Sequence, residues 1–206
     1  MSKIIGITGS IGMGKSTIAY MLSKLGIPVF DSDKEVADIL KNNRRIIKEV
    51  GIKWPQVVII DKNKKRINKK VLGDIVFSNL SSKNFLENLI HPIIHKKREL
   101  FIQQNISSSL IALDVPLLFE TKLDKTCDFI FLANARNEIQ TSRVLERKNM
   151  THEKFNLIKK NQLSNEERLK LSSKIFVVTT NYGKLISFII ILGCLFRILF
   201  LTKKGS

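Results

Sequence analysis

Apolar residues along this chain fall into two rhythms. Lys3-Ile4-Ile5-Gly6-Ile7-Thr8 is a short, β-branched, nearly continuous run ending at glycines, the pattern of a parallel strand buried on both faces. After the loop Gly9 to Gly14 the spacing changes. Ile18, Met21, Leu22 and Leu25 share one face of a helix predicted over Ser16 to Leu25, closed by Gly26. Pro28-Val29-Phe30-Asp31 predicts a second strand, Leu110 to Asp114 a third, Phe129 to Leu132 a fourth and Lys174 to Thr179 a last one. Helical spacing covers Lys34 to Val50, Lys69 to Asn79, Ser82 to Gln104 with a break or kink at Pro92, Asn137 to Lys148 and Thr151 to Gln162. Lys62 to Arg66 reads as a basic, solvated turn. Strands alternating with helices predict an α/β fold with a mostly parallel, doubly wound sheet.

The loop after the first strand carries the first chemistry. Gly9-Ser10-Ile11-Gly12-Met13-Gly14-Lys15-Ser16 satisfies G-x-x-x-x-G-K-[ST] at every fixed position, between a strand and a helix as the motif requires. Glycines let backbone N–H groups close around a phosphate, and the following helix adds its positive end. Gly9, Gly12, Met13, Gly14, Lys15, Ser16 and Thr17 are therefore the expected ATP-binding residues. Lys15 reaches the β- and γ-phosphates, and the Ser16 hydroxyl ligates Mg²⁺. The motif establishes a nucleoside triphosphate without saying what it is used for.

In an open parallel sheet, ligands gather at the carboxyl ends of the strands. The predicted second strand ends in Asp31-Ser32-Asp33 and the third in Asp114. Asp33 is the candidate base, or hydroxyl-orienting group, for phosphoryl transfer, and Asp114 the candidate contact to Mg²⁺ or its water shell. Helix capping is the plainer role for either, and for Asp33 both can hold. Gln140, Arg143 and Arg147, with the basic helix bearing Lys154, Lys159 and Lys160, form a candidate lid whose arginines grip phosphates. On spacing alone a solvated face explains them equally. There is no Asn-Lys-x-Asp segment to read guanine, which argues against a GTPase. His91 and His95 lack a third ligand, so zinc is not expected.

Composition narrows the class further. The 206 residues allow one full core with inserted subdomains, and 44% hydrophobic with 26% charged residues exclude a disordered chain. Lys and Arg exceed Asp and Glu by 35 to 18, a net charge of +17. That surface attracts polyanions or phosphorylated metabolites, although a compositional bias towards Lys, Asn and Ile yields the same excess without any function. Cys127 and Cys194 form no CxxC pair and read as reduced thiols of a cytoplasmic protein. No signal peptide is expected at the start, where strand-like residues begin at Lys3.

Taken in order, the motifs of residues 1–183 resemble those of dephospho-CoA kinases. The loop Thr8 to Thr17 is similar to the family's, which usually has a second glycine where Ser10 stands. Asp31-Ser32-Asp33 resembles its Asp-small-Asp element, and Leu86 to Pro92 its Leu-Glu…His-Pro segment. Asp114-Val115-Pro116-Leu117-Leu118-Phe119-Glu120 looks like its most individual motif, and Gln140, Arg143, Arg147 and Gln162 fall at its lid spacing. The resemblance implies transfer of the ATP γ-phosphate to the ribose 3'-hydroxyl of dephospho-CoA. Asp33, Lys15 and Arg143 are then catalytic, Arg147 binds ATP, and Asp33, Lys69, His91 and Asp114 face the substrate. It also implies a P-loop core (1–33, 109–139, 166–183), a helical substrate domain (34–108), a lid (140–165) and a separate tail (184–206). Lys69 stands where the family often has Arg, and its Ala-Asp is absent around Ser172-Ser173-Lys174, so the adenine contacts that follow stay open.

The rivals are a P-loop kinase with another nucleoside or nucleotide acceptor, and a non-catalytic ATP-binding protein with a polyanion-binding surface. Nucleic acid is not an expected partner, and a monomer or weak homo-oligomer is expected. Leu185 to Leu201 is nearly all apolar, with Arg197 its only charge, where the family ends in an amphipathic helix. A core helix, a dimer interface and a tail read in a shifted frame all rank ahead of a membrane span, for which the length only just suffices.

Overall fold

Strand β1 (Lys3–Thr8) occupies the centre of a five-stranded sheet, as its unbroken apolar run requires, with Ile5 and Ile7 fully buried. The computed structural model describes residues 2–61, 64–148 and 150–203. The sheet order is β2-β5-β1-β6-β7, with β2 Val29–Asp31, β5 Leu110–Asp114, β6 Phe129–Asn134 and β7 Ile175–Thr179. The ladders β1–β5, β1–β6 and β6–β7 are parallel, with Ile7 opposite Asp114 and Phe131. Because β5 and β6 lie on opposite sides of β1, the loop after β1 opens at the point where the strand order reverses.

Helix α1 (Lys15–Lys24) buries Ile18, Met21 and Leu22 against the sheet. Leu25, expected on that face, caps the helix instead and is exposed, and Gly26 takes the left-handed conformation (φ 79°) that ends it. Helices α6 (Asn137–Leu145), α7 (His152–Lys160) and α8 (Asn165–Leu171) follow β6. Helix α8 was not foreseen. Its start is a capping box, with Ser164 accepting from the Glu167 N–H while the Glu167 carboxylate accepts from Ser164 N–H. Helix α9 (Gly183–Lys203) holds the apolar tail. It belongs to the same unit as the sheet, with Ile191, Leu195 and Ile198 in the core formed by α1, β1 and β7 residues. Burying each such side chain contributes about 1.5–3 kcal/mol.

Residues Asp31–Gln104 form a second compact unit. The single helix expected over Lys34 to Val50 is two, α2 (Ser32–Asn42) and α3 (Arg44–Lys53). Asn43 separates them, extended at φ −79°, ψ 106°, its side chain accepting from Ile46 N–H to start the second. The expected basic turn is also corrected. Lys62 lies outside the described residues, but Lys64–Ile67 is strand β4, paired antiparallel with β3 (Val58–Asp61). Ile67 is buried and opposes Val58, so one apolar pair fixes the register that the flanking lysines hide. Helix α4 (Lys69–Ser78) is capped by Asn68, and α5 (Leu80–Gln104) runs through Pro92 without interruption. Pro92 is exposed, so water can satisfy the carbonyl its missing N–H leaves unpaired. Trp54 and Phe85 pack edge-to-face at 5.4 Å in this unit's core.

Candidate functional site

The loop between β1 and α1 holds three glycines at positive φ: Gly9 at 152°, Gly12 at 78° and Gly14 at 95°. All three are needed for space as well as conformation: a Cβ on Gly9 would stand 2.9 Å from Ala133 Cβ. A Cβ on Gly12 would stand 2.5 Å from Val144 Cγ2, and one on Gly14 would stand 2.7 Å from Thr180 Oγ1. The loop is thus wrapped tightly by α6 and by the turn after β7. Gly14 precedes α1, and no side chain caps the helix, so its N-terminus faces the loop with its dipole uncompensated.

Lys15 opens α1, and its Nζ lies 2.5 Å from Asp114 Oδ1 at the end of β5. Both side chains are largely removed from water, at 15% and 4% exposure, so the pair is strong and specific in geometry. Thr8 at the end of β1 is buried and donates its hydroxyl to Pro116 O (3.0 Å), fixing the segment after Asp114. Ser16 is exposed beside Lys15. A cation, a carboxylate, a hydroxyl and the uncapped N-terminus of α1 meet at one loop. That arrangement binds a polyphosphate, and its hard oxygen donors suit Mg²⁺.

The loop is braced from behind by residues far away in sequence. Gln140 Nε2 donates to Ile11 O (2.7 Å), and Ile11 N–H donates to Gln162 Oε1 (3.0 Å). Ser10 Oγ donates to Leu163 O (3.3 Å) and accepts from Arg168 (2.8 Å). Arg168 is fully buried and also reaches Asn165 Oδ1 (3.2 Å) and Glu120 Oε1 (3.4 Å). Burial pulls the Arg168 guanidinium below the usual arginine range, and the Glu120 carboxylate opposes that.

A second clamp forms at the turn after β7. Thr180 Oγ1 donates to Met13 O (2.9 Å), while Arg143 donates to Thr180 Oγ1 (2.8 Å) and Thr180 O (2.7 Å). Arg143 therefore sits on the side of the loop formed by Met13 and Gly14. Arg147 was expected on the same helix, one turn on. Helix α6 ends at Leu145, and Arg147 lies exposed in the following turn. Arg136 adds a further contact, donating from its backbone to Asn181 Oδ1 and from its side chain to the Tyr182 hydroxyl, both at 2.8 Å.

In the second unit the α2 cap is Asp31, whose carboxylate accepts from Lys34 N–H (3.0 Å). Asp33 lies inside the first helical turn, so the capping role expected of it belongs to its neighbour. Lys69 is the exposed first residue of α4, and His91 is exposed on α5. These three expected residues stand on three different helices of that unit. Among the described residues no cluster of His, Cys, Asp and Glu could by itself hold a metal ion.

The chain matches the dephospho-CoA kinase family across residues 3–184. It belongs to that family. A dephospho-CoA kinase of Nitrobacter winogradskyi is 36% identical over 183 residues, covering 87% of each chain. One from Fusobacterium nucleatum is 38% identical over 179 residues, covering 86% of this chain and 90% of its own. Among solved structures, a Thermus thermophilus protein superposes with a TM-score of 0.78 at 29% identity, covering 96% of this chain and 98% of its own. The dephospho-CoA kinase of Campylobacter jejuni superposes at 0.67 and 26% identity, with full coverage of both.

In this member of the family, Arg168, Glu120, Thr180 and Arg136 brace the site, and the sequence alone assigns none of them a role. The capping-box spacing Ser164-x-x-Glu167 announces α8 and hence a helical Arg168. Nothing local announces its partner Ser10, which is 158 residues away.

Proposed function

We propose that this chain transfers the γ-phosphoryl group of ATP to the ribose 3'-hydroxyl of dephospho-CoA, giving CoA and ADP. The observation that carries the reading is the Lys15–Asp114 pair across a glycine loop at the carboxyl edge of the parallel sheet. A lysine held there by one carboxylate exchanges that partner for the β- and γ-phosphates when ATP enters. Asp114 and the Ser16 hydroxyl are the oxygen donors that would hold Mg²⁺ with its waters. Bound there, Mg²⁺ would supply neutralisation of charge on the phosphates, and the chain's own groups position the reactants.

Gly9, Gly12, Met13, Gly14 and Thr17 contribute the loop that binds ATP. Asp33 takes up the proton of the acceptor hydroxyl or orients it, and Lys69, His91 and Asp114 lie toward the acceptor. Arg143, anchored beside the loop through Thr180, serves the transferred phosphate, and Arg147 joins it from the adjoining turn. Residues 34–108 form the substrate domain and 140–165 the lid, in a cytoplasmic enzyme that is a monomer or a weak homo-oligomer.

Asp33→Asn tests the assignment. A base or orienting group in phosphoryl transfer contributes about 10²–10⁴-fold. The variant should lose at least the lower figure in kcat with ATP affinity unchanged. A kcat close to wild type removes Asp33 from the mechanism. Phosphorus NMR of the product must show a ribose monoester, and a phosphate elsewhere on the acceptor contradicts the reaction.

A further inference from the structure

Helix α9 is apolar on both sides, and among the described residues its core packing lies on one of them. Its inner face carries Ile191, Leu195 and Ile198, all buried in the core, with Ser187 donating back to Gly183 O (2.8 Å). Leu185, Ile189, Leu192, Phe196 and Leu199 recur every three or four residues on the other face, and all are exposed. Leu185 and Phe196 have more than 70% of their surface in water. From Leu185 to Leu199 this stripe runs about 20 Å at the usual helical rise. Continuous exposed apolar surface of that extent marks an interaction face.

The charges choose the occupant. The helix contains no acidic residue, and its only ionic groups are Lys184, Arg197 and Lys203, within a chain of net charge +17. Arg197 lies against the Phe176 ring at 5.6 Å, and Lys184 is exposed beside the start of the stripe. A second copy docking on the same stripe would bring like charges together. An anionic surface would be attracted by all of them. The helix is also long and apolar enough to cross a membrane, with a mean hydropathy of 2.1 over Gly183–Phe200. Spanning would strip Ile191, Leu195 and Ile198 from the core they share with α1 and the sheet, so the helix can meet a bilayer only from one side.

We propose that the outer face of α9 docks the protein peripherally on an anionic lipid bilayer. Leu185, Ile189, Phe196 and Leu199 enter the boundary between headgroups and acyl chains, and Lys184 contacts the headgroups. This inference does not depend on the proposed reaction.

Vesicle flotation tests it, because protein aggregates sink while bound protein rises. The full chain should float with vesicles of phosphatidylcholine and phosphatidylserine at 3:1. Flotation should fall at least tenfold with pure phosphatidylcholine, or in high salt. Ile189→Glu with Phe196→Glu should abolish it while leaving the melting temperature unchanged. Three results overturn the proposal. One is equal flotation on both vesicle types, and another is resistance to alkaline carbonate extraction, which marks a span. The third is absence from the lipid fraction altogether. If light scattering then shows a dimer that the double variant dissociates, the stripe's occupant is a second copy.

Discussion

Replacing Arg168 by Met keeps most of the buried stem volume and removes the guanidinium that joins Ser10, Asn165 and Glu120. Hydrogen bonds involving a charged partner contribute about 1.5–3 kcal/mol each. Deleting one partner of a fully buried ion pair costs about 3–5 kcal/mol. Here the larger figure is an upper limit. Glu120 keeps 23% of its side chain in solvent and sits at a long 3.4 Å from Arg168, and it retains the Leu163 N–H at 3.1 Å. Arg168 Nε, moreover, is buried with no partner among the described residues, so removing it relieves a cost. The net loss is then about 2–3 kcal/mol, which for a chain of this size lowers the melting temperature by roughly 4–12 °C.

A purely structural role would stop there. Because Ser10 lies inside the phosphate loop, losing its brace should also raise the KM for ATP on the order of tenfold, equivalent to about 1.4 kcal/mol. The KM for the acceptor should hold. Adding Glu120→Gln should recover part of the lost stability by removing a carboxylate that has lost its cation, a coupling visible in a double-mutant cycle. Circular dichroism melting and initial-rate kinetics on the three variants decide the matter. An unchanged melting temperature together with an unchanged KM for ATP refutes the brace.

Gly12→Ala should abolish ATP binding in calorimetry, since its Cβ would stand 2.5 Å from Val144 Cγ2 at a φ of 78°; micromolar binding by the variant would show that the loop can rearrange. Thr180→Val removes the hydroxyl shared by Arg143 and Met13 and should weaken ATP binding several-fold, with a smaller effect on stability. Cys127 should resist alkylation: burial pushes its thiol up to about 11. At pH 8 that leaves about one thiolate in a thousand, and the thiolate is the reactive form. Rapid iodoacetamide labelling of the native protein at Cys127 would contradict the buried setting.

The central sheet was legible because buried parallel strands are apolar except at their ends, as β1, β5 and β6 are. The phosphate loop was legible because its glycines, lysine and serine are adjacent in sequence. Hairpin β3–β4 was hidden by lysines and an arginine on a strand whose buried apolar residue is Ile67, and the α2–α3 break by a lone asparagine with extended dihedrals. Helix α9 has no polar side to orient it, so its covered face became visible only through its packing. The braces of Arg168 and Arg143 were illegible for a more basic reason. They join segments distant in the chain, and each residue type alone reads equally well as a solvated helical cation.

The most direct test of the account is ADP release from ATP and Mg²⁺, measured with and without dephospho-CoA beside a Lys15→Ala control. The pairing of Lys15 with Asp114 at the phosphate loop predicts release that depends on dephospho-CoA and disappears in the control. Release that is indifferent to dephospho-CoA, or that survives the loss of Lys15, would contradict it.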